Sequence, residues 1–295
     1  MGGVNKMSLP KFTYFEAKTL QEASAKLAEY EGRARIIAGG TDLLLGMRRG
    51  IAKPEMVISL SRIQDARSIA SSDKELRIGA MASLAEVAQH PVVQRHFPAL
   101  AHAASLTGTV QIRNMGTVVG NVCNASPSAD TATPLLIYDA QMVVVHPGGE
   151  RTLPLAEFFQ GPGKTALKTG ELVKEIVLKL PTAPTHSNYQ KLSPRSKVDI
   201  AIVGVSALLA YTENNEVKRA RIAIGSVAPV PRRVVLAENM LEGCVLSPTL
   251  IDAVAAVVAK ESAPITDMRA SEDYRRSMVA VLTRRALRQN QGKQQ

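Results

Sequence analysis

Eight consecutive residues, Ile36-Ile37-Ala38-Gly39-Gly40-Thr41-Asp42-Leu43, limit what this chain can fold into more than any other stretch. A short apolar run from Arg35 stops at two adjacent glycines, and Leu43, Leu44 and Met47 then recur at helical spacing. That pattern is a strand, a glycine turn and a helix start. Glycine lets backbone approach a ligand closely and take positive φ. Successive N–H groups in such a turn form an anion-binding concavity, and the helix end adds partial positive charge. Thr41 contributes a hydroxyl. The geometry suits a phosphate or pyrophosphate. The same residues also make a plain tight turn in which Thr41 or Asp42 is only an N-cap. The G-x-G-x-x-G spacing is absent, which excludes a classical NAD-binding Rossmann unit. Gly163-Lys164-Thr165 ends like a P-loop, but the first glycine of that motif falls on Phe158, so there is no Walker A.

A second segment has the same character at greater length. From Gly108 to Asp130 the chain is rich in Gly, Asn, Ser and Thr and poor in charge. That reads as a loop too long for an ordinary connector, and long ordered loops carry function. Gln111-Ile112-Arg113-Asn114-Met115-Gly116-Thr117-Val118-Val119-Gly120-Asn121 and Ala125-Ser126-Pro127-Ser128-Ala129-Asp130 offer glycine N–H groups, amides, hydroxyls and one carboxylate. Such a set can wrap a large polar cofactor without a catalytic acid or base. It can also be a polar Ω-type loop that satisfies its own backbone. Two phosphate-compatible segments together point toward a dinucleotide.

The remaining pattern is mixed α+β. Thr19 and Glu22 form a capping box ahead of a helix to Tyr30, and Ser83 and Glu86 another, ahead of a helix toward Gln89. Val92 to Leu106 reads as helix with a break at Pro98. Short strands are expected at Met56–Leu60, Leu76–Ile78, Gln141–His146 and Leu172–Leu180, with a turn at Pro147-Gly148-Gly149. Pro181-Thr182-Ala183-Pro184 is the linker candidate. Beyond it, Ile200–Tyr211 and Val217–Val227 flank Glu213-Asn214-Asn215 as a hairpin. Two helices close the chain, Ser247–Lys260 and Ser271–Gln289. Ser247 before Pro248 is an N-cap followed by a first-turn proline. In the last helix Tyr274, Met278, Val281 and Leu282 are expected to form the apolar stripe.

Bulk properties narrow the function classes. The 295 residues are 45% hydrophobic, enough for a packed core. No run of 18 or more apolar residues occurs, so no membrane span is expected. Met1 to Pro10 lacks the apolar core of a signal peptide, and Lys6 stands where a myristoylation signal wants Ser or Thr. A cytoplasmic address follows by default. Cys123 and Cys244 cannot frame a disulfide scaffold or supply the four thiolates of an iron–sulfur cluster. The five histidines show no metal-ligand spacing, so no protein-held metal is expected. The net charge of +10 fits a solvated basic surface, nucleic acid, an anionic membrane surface, an anionic cofactor or an acidic partner protein. Aromatics are 4%, Trp is absent and no nucleic-acid motif is visible, which argues against a nucleic-acid partner.

The two polar segments closely resemble the FAD-binding medium subunits of the xanthine dehydrogenase and carbon monoxide dehydrogenase class of molybdenum hydroxylases. Tyr189-Gln190-Lys191-Leu192-Ser193-Pro194-Arg195 with Asp199-Ile200-Ala201 looks like that family's opening of the C-terminal domain. Asp267-Met268-Arg269-Ala270-Ser271, Tyr274-Arg275-Arg276 and Val281-Leu282-Thr283-Arg284-Arg285-Ala286-Leu287 look like its closing helix. The likeness spans nearly the whole chain in order. It implies a vanillyl-alcohol-oxidase-like (PCMH-type) FAD-binding domain, residues 8–181, of two α/β subdomains (about 8–61 and 62–181). A smaller α+β C-terminal domain, 186–290, follows, like that of the CO dehydrogenase flavoprotein.

The resemblance also implies roles. Ile36, Ile37, Ala38, Gly39, Gly40, Thr41, Asp42 and Leu43 would line the ADP half and pyrophosphate of FAD. Thr117, Val118, Val119, Gly120 and Asn121 would form a second pyrophosphate loop, and Asp130 would bind a sugar or ribityl hydroxyl. Lys191 would sit near the isoalloxazine, flanked by Val173. No catalytic acid, base, nucleophile or metal ligand is expected. Molybdopterin and two [2Fe–2S] clusters would lie on a large and a small partner subunit, in a dimer of heterotrimers, with this chain passing electrons to a terminal acceptor. Two departures stand out. Val119 replaces the first of two family glycines, and a β-branched residue resists positive φ. Pro194 stands where many relatives carry Arg. The 4-hydroxybenzoyl-CoA reductases of this family carry an extra cluster in an insertion, which two cysteines and no insertion argue against here. The competing readings are a self-contained flavoenzyme of the same fold, as in cell-wall UDP-sugar reductases, and a basic nucleic-acid-binding protein.

Overall fold

The computed structural model describes residues 9–196 and 198–290. The N-terminal reading around Lys6, and the expected domain start at residue 8, lie outside them. The first layer holds β1 (Thr13–Glu16), α1 (Leu20–Glu29), β2 (Ala34–Ile37), α2 (Leu43–Arg48) and β3 (Met56–Ser59). Its sheet has the order β1-β3-β2 and is parallel throughout. The central strand is Met-Val-Ile-Ser, buried at every position, as an interior parallel strand requires. Thr19 caps α1 by accepting from Glu22 N at 3.0 Å. The Glu22 carboxylate does not close the expected box; it reaches one residue further back, to Lys18 N at 2.6 Å.

The second layer is the antiparallel sheet β4-β5-β10-β6-β7, with β4 (Ile69–Ser71), β5 (Glu75–Gly79), β6 (Gln141–His146), β7 (Gly149–Pro154) and β10 (Leu172–Lys179). A small hairpin of β8 (Phe159–Gly161) and β9 (Lys164–Thr165) follows the short α9 (Leu155–Phe158). Between β5 and β6 lie α3 (Leu84–Gln89), α4 (Pro91–His96), α5 (Pro98–Leu106), α6 (Val110–Met115), α7 (Val118–Cys123) and α8 (Ala132–Ile137). Pro98 breaks the helix where the sequence placed the break. The Ser83–Glu86 box is reciprocal, at 3.1 and 2.7 Å.

The stretch from 108 to 130 is therefore not one long loop, which corrects the sequence reading. Thr109 accepts from Ile112 N and Thr117 from Gly120 N, so the residues that read as loop chemistry are the caps of α6 and α7. Threonine competes for main-chain N–H groups, and at a helix start that competition nucleates the helix.

The C-terminal sheet runs β11-β12-β13-β14, with β11 (Thr185–Leu192), β12 (Val203–Tyr211), β13 (Val217–Gly225) and β14 (Arg232–Arg233), all antiparallel. The β12–β13 turn uses Asn215 at φ +62°, a conformation Asn tolerates. Against one face pack α10 (Val235–Leu241), α11 (Pro248–Glu261) and α12 (Glu272–Gln289). Tyr189, Leu208 and Ala223 face the other way, into the core of the first two sheets. Burial on both faces explains why β12 reads as a continuous apolar run without alternation.

The buried side of α12 is Arg275, Val279, Leu282, Thr283, Ala286 and Leu287. Of the expected stripe only Leu282 is buried, and Tyr274 is 49% exposed. The stripe is shifted because a charged residue occupies its first position. Arg275 donates to the carbonyls of Ile202 at 2.9 Å and Ser226 at 3.1 Å and to the Asp267 carboxylate at 2.7 Å. Hydropathy cannot mark a buried guanidinium whose partners come from three separate segments.

Two ionic contacts brace this arrangement. Asp139, just past α8, meets Arg219 at 2.5 Å, Arg233 at 2.7 Å and Arg221 at 3.5 Å. Asp267 is desolvated, which raises its pKa, but N–H groups of Arg269 and Ala270 and the Arg275 guanidinium outweigh that and hold it to about 2. A carboxyl held below its unfolded value stabilises the native state above about pH 4 and loses that contribution as pH falls toward 2. Replacing Asp267 by Asn is expected to cost about 1–2 kcal/mol at neutral pH after allowance for solvent screening. In chemical denaturation it should also flatten the fall in stability between about pH 4 and 2.

Candidate functional site

The glycine turn joins β2 to α2. Ile36 and Ile37 lie on β2, paired with Ile58 and Ser59, and Ala38 leads into Gly39 and Gly40. Gly40 has φ +71°, a conformation that favours glycine. Gly39 is required for a different reason. A Cβ there would lie 1.9 Å from the Met115 carbonyl oxygen and 2.8 Å from Gly116 Cα. The turn thus packs backbone to backbone against the α6–α7 junction, and Gly116 approaches Thr41 Oγ1 in return. Among the described residues, the N–H groups of Gly39, Gly40, Thr41, Asp42 and Leu43 meet no protein acceptor. Asp42 is the N-cap of α2 but makes no side-chain cap bond, whereas α1, α3, α6, α7, α11 and α12 are all capped by Ser or Thr.

Thr117–Asn121 lies alongside. Thr117 is buried and caps α7 at 2.9 Å. Val118 N is committed to Ala82 O and Asn121 N to Thr117 O. Val119 N–H meets no acceptor among the described residues. Val119 is a buried residue of α7 and is not among the positive-φ residues, so its β-branch causes no strain there. Asn121 Oδ1 accepts from Thr131 Oγ1 at 2.6 Å, which leaves its NH2 as a donor.

Asp130 is the centre of a buried polar group. It accepts from Tyr189 Oη at 2.6 Å and Lys191 Nζ at 2.8 Å. Lys191 Nζ also reaches the Leu106 carbonyl at 3.1 Å. The two ionic side chains are 7% and 3% exposed. Burial pushes the Asp130 carboxyl up, against the pull of the Lys191 ammonium and of hydrogen bonds from Lys191 and Tyr189. Burial and the adjacent carboxyl push the Tyr189 hydroxyl well above its usual value, so it stays a donor. Ser226 N, from just after β13, donates to Pro127 O at 2.7 Å, and Ser206 Oγ donates to Thr133 Oγ1 at 2.9 Å. The C-terminal sheet thus fixes the segment from 127 to 133.

Val173 is 3% exposed in β10, opposite Val144 and beside a bulge. Its strand packs against α7, the helix that begins at Thr117, and Val173 shares a buried cluster with Val118, Val119 and Val122. Tyr189 and the Leu106 carbonyl belong to the site and were not among the predicted residues. Tyr189 stands in the quoted motif, two residues from Lys191 and so on the same strand face, but the carbonyl leaves no sequence signal.

The residues fit a dinucleotide: a row of open N–H groups, a second helix start beside it, and a buried cation farther along α5–α6. The family description "FAD binding domain in molybdopterin dehydrogenase" matches residues 10–182, and "CO dehydrogenase flavoprotein C-terminal domain" matches 188–290. The chain belongs to this family. It is an FAD-binding medium subunit of the molybdenum hydroxylase type. The xanthine dehydrogenase FAD-binding subunit of Escherichia coli O157:H7 is 32% identical over 279 residues, 93% of this chain and 94% of that protein. The carbon monoxide dehydrogenase medium chain of Hydrogenophaga pseudoflava is 32% identical over 278 residues, 94% of this chain and 96% of that one. A solved structure of that organism's carbon monoxide dehydrogenase superposes with TM-score 0.93, covering 96% of this chain and 98% of that one. Quinoline 2-oxidoreductase from Pseudomonas putida 86 superposes with TM-score 0.90 at 26% identity, covering 96% and 98%. The PCMH-type fold is that of these relatives, and the flavoprotein's role is electron transfer within a dehydrogenase.

Gly39→Ala tests the cradle. The added methyl must displace the Met115 carbonyl, so the flavoprotein should keep its far-UV spectrum but lose most bound flavin. The flavin-to-chain ratio after purification reads this directly; an unchanged ratio would refute the backbone contact.

Proposed function

We propose that this flavoprotein holds the FAD pyrophosphate on the amide row of Gly39 to Leu43 and the start of α7 at Thr117 to Asn121, with the isoalloxazine toward Lys191 and Asp130. Residues 8–181 would form the FAD-binding unit and 186–290 the unit that closes it. The observation that carries this reading is the run of five main-chain N–H groups that meet no acceptor among the described residues, fixed in place by the Gly39–Met115 contact. Bound flavin supplies the one- and two-electron chemistry. The chain supplies position and charge. Lys191 has three donors and gives two to Asp130 and Leu106 O, which leaves one for a cofactor carbonyl. Its charge in a site closed to water favours a more negative flavin. Asp130 fixes the ammonium, and Tyr189 fixes Asp130.

In this reading electrons arrive from [2Fe–2S] clusters on a small partner subunit, after substrate oxidation at molybdopterin on a large one. The three chains form a dimer of heterotrimers in the cytoplasm, and the flavin passes the electrons to a terminal acceptor. Among the described residues no helix is long and apolar enough to cross a membrane. The test uses the complex co-expressed with its partners. Heat release and chromatography should give about one FAD per medium chain, and absence of flavin would overturn the assignment. Lys191→Met should lower the flavin midpoint potential, by roughly 30 mV for each tenfold loss of preference for the reduced form. The double variant Lys191→Met/Asp130→Asn removes both buried charges, so it separates lost cation from stranded carboxylate.

A further inference from the structure

We propose that Arg275, on the closing helix, is a positioning residue for the flavin: its guanidinium fixes from one point both the strand that carries Lys191 and the segment that carries Asp130. This rests on the proposed function, since it presupposes that the isoalloxazine lies beside that pair. Arg275 is buried. Its Nη1 donates twice, to Ile202 O at 2.9 Å and to Ser226 O at 3.1 Å, and Nη2 holds the Asp267 carboxylate at 2.7 Å. A guanidinium presents its N–H groups in a rigid planar fork, so acceptors gripped together are fixed relative to one another.

Each of the two carbonyls leads to one half of the Lys191–Asp130 pair. Ile202 N donates back to Leu192 O at 2.9 Å, and in the ladder that follows Val203 lies opposite Leu192 and Gly204 opposite Lys191. Gly204 also makes room for Tyr189: a Cβ there would lie 3.1 Å from Tyr189 Oη, the hydroxyl that donates to Asp130. Ser226 leads to the other half. Its N–H donates to Pro127 O at 2.7 Å, and at the preceding Gly225 a Cβ would lie 3.0 Å from Thr133 Cγ2. Asp130 sits between those two contact points, in tight turns closed by Ala129 N to Ser126 O and Ala132 N to Ala129 O.

The backbone of Ser226 is held rather than relaxed. Its φ is +66°, a strained conformation for a residue with a Cβ, and one that persists only where the surroundings over-determine it. The Ser226 hydroxyl meets no partner among the described residues, so its side chain does not account for the conformation. The anchors are Pro127 on its amide and Arg275 on its carbonyl. Release of either carbonyl would loosen the 2.8 Å contact between Lys191 and Asp130. The effect of a buried cation on a flavin falls with distance, so the clamp sets how strongly Lys191 is felt.

The test is made in the co-expressed complex. Arg275→Met/Asp267→Asn removes the clamp without stranding a carboxylate. Arg275→Lys keeps the cation but ends one bond short of the carbonyls, and it carries the test if the double variant does not fold. Asp267→Asn alone removes one partner of Arg275 and leaves both carbonyl bonds. Spectroelectrochemical titration reads the flavin midpoint potential, and hydrogen exchange with mass spectrometry reads residues 128–133 and 202–206. Both Arg275 variants should lower the midpoint by roughly 15–30 mV, about a threefold to tenfold loss of preference for the reduced form, and should speed exchange in both segments. In a Lys191→Met background they should move the potential no further, because the effect passes through that ammonium. Asp267→Asn should lower stability and leave the potential in place. The proposal is overturned if the Arg275 variants leave potential and exchange unchanged, or if their shift persists undiminished in the Lys191→Met background. It is also overturned if Asp267→Asn produces the same shift, which would mark general loosening. A Lys191→Met flavin with the wild-type potential would instead overturn the placement of the flavin beside the pair, and this inference with it; the exchange data then show separately whether the clamp exists.

Discussion

The buried carboxylate of Asp130 is the contact on which the rest of the site depends. It lies on the segment between α7 and α8, and its two donors, Tyr189 and Lys191, come from the first strand of the C-terminal sheet. A buried pair of this kind adds little net stability, because desolvation offsets the attraction. Its effect is on specificity. An uncompensated charge at either position would cost several kcal/mol, so alternative dockings of the sheet that separate Lys191 from Asp130 are excluded. The Ser226–Pro127 and Ser206–Thr133 bonds hold the same segment against the C-terminal sheet.

The second constraint is steric. The glycine turn is held against Met115 and Gly116 by contact that leaves no room for a side chain. Two segments far apart in sequence therefore present their N–H groups side by side. Neither would make a dinucleotide site alone: the turn offers open amides, and the α7 start offers one amide, a hydroxyl cap and the Asn121 amide. In the proposed site their adjacency would turn two generic helix starts into one extended cradle for an anion, with Lys191 supplying positive charge beyond it. Electron transfer asks little more of the chain than position, a cation and exclusion of water.

Local signals with their own chemistry were legible. The Ser83–Glu86 box, Ser247 before Pro248, the break at Pro98 and the Asn215 hairpin all stand where the sequence put them, since each depends on residues within a few positions. The glycine turn was legible as a strand–turn–helix for the same reason. The helices in 110–123 were not, because the threonines that cap them are also the residues of loops, and only tertiary packing tips the balance: α6 lies against α3 and the glycine turn, and α7 buries Val118, Val119 and Val122. Nor was the buried face of α12. There an arginine leads the stripe, and its acceptors are the Ile202 and Ser226 carbonyls and Asp267.

By itself the sequence determined which segments could be strands, helices and turns, where glycine was indispensable, and that phosphate-compatible backbone occurs twice. Those properties follow from side-chain shape, capping groups and spacing, which act over a few residues. Tertiary structure alone decided that Gly39 faces Met115, that Asp130 is shared by Tyr189 and Lys191, and that β12 is covered on both sides. Each joins residues tens of positions apart. Such pairings depend on how whole layers pack, and the pattern of neighbours along the chain carries no record of that.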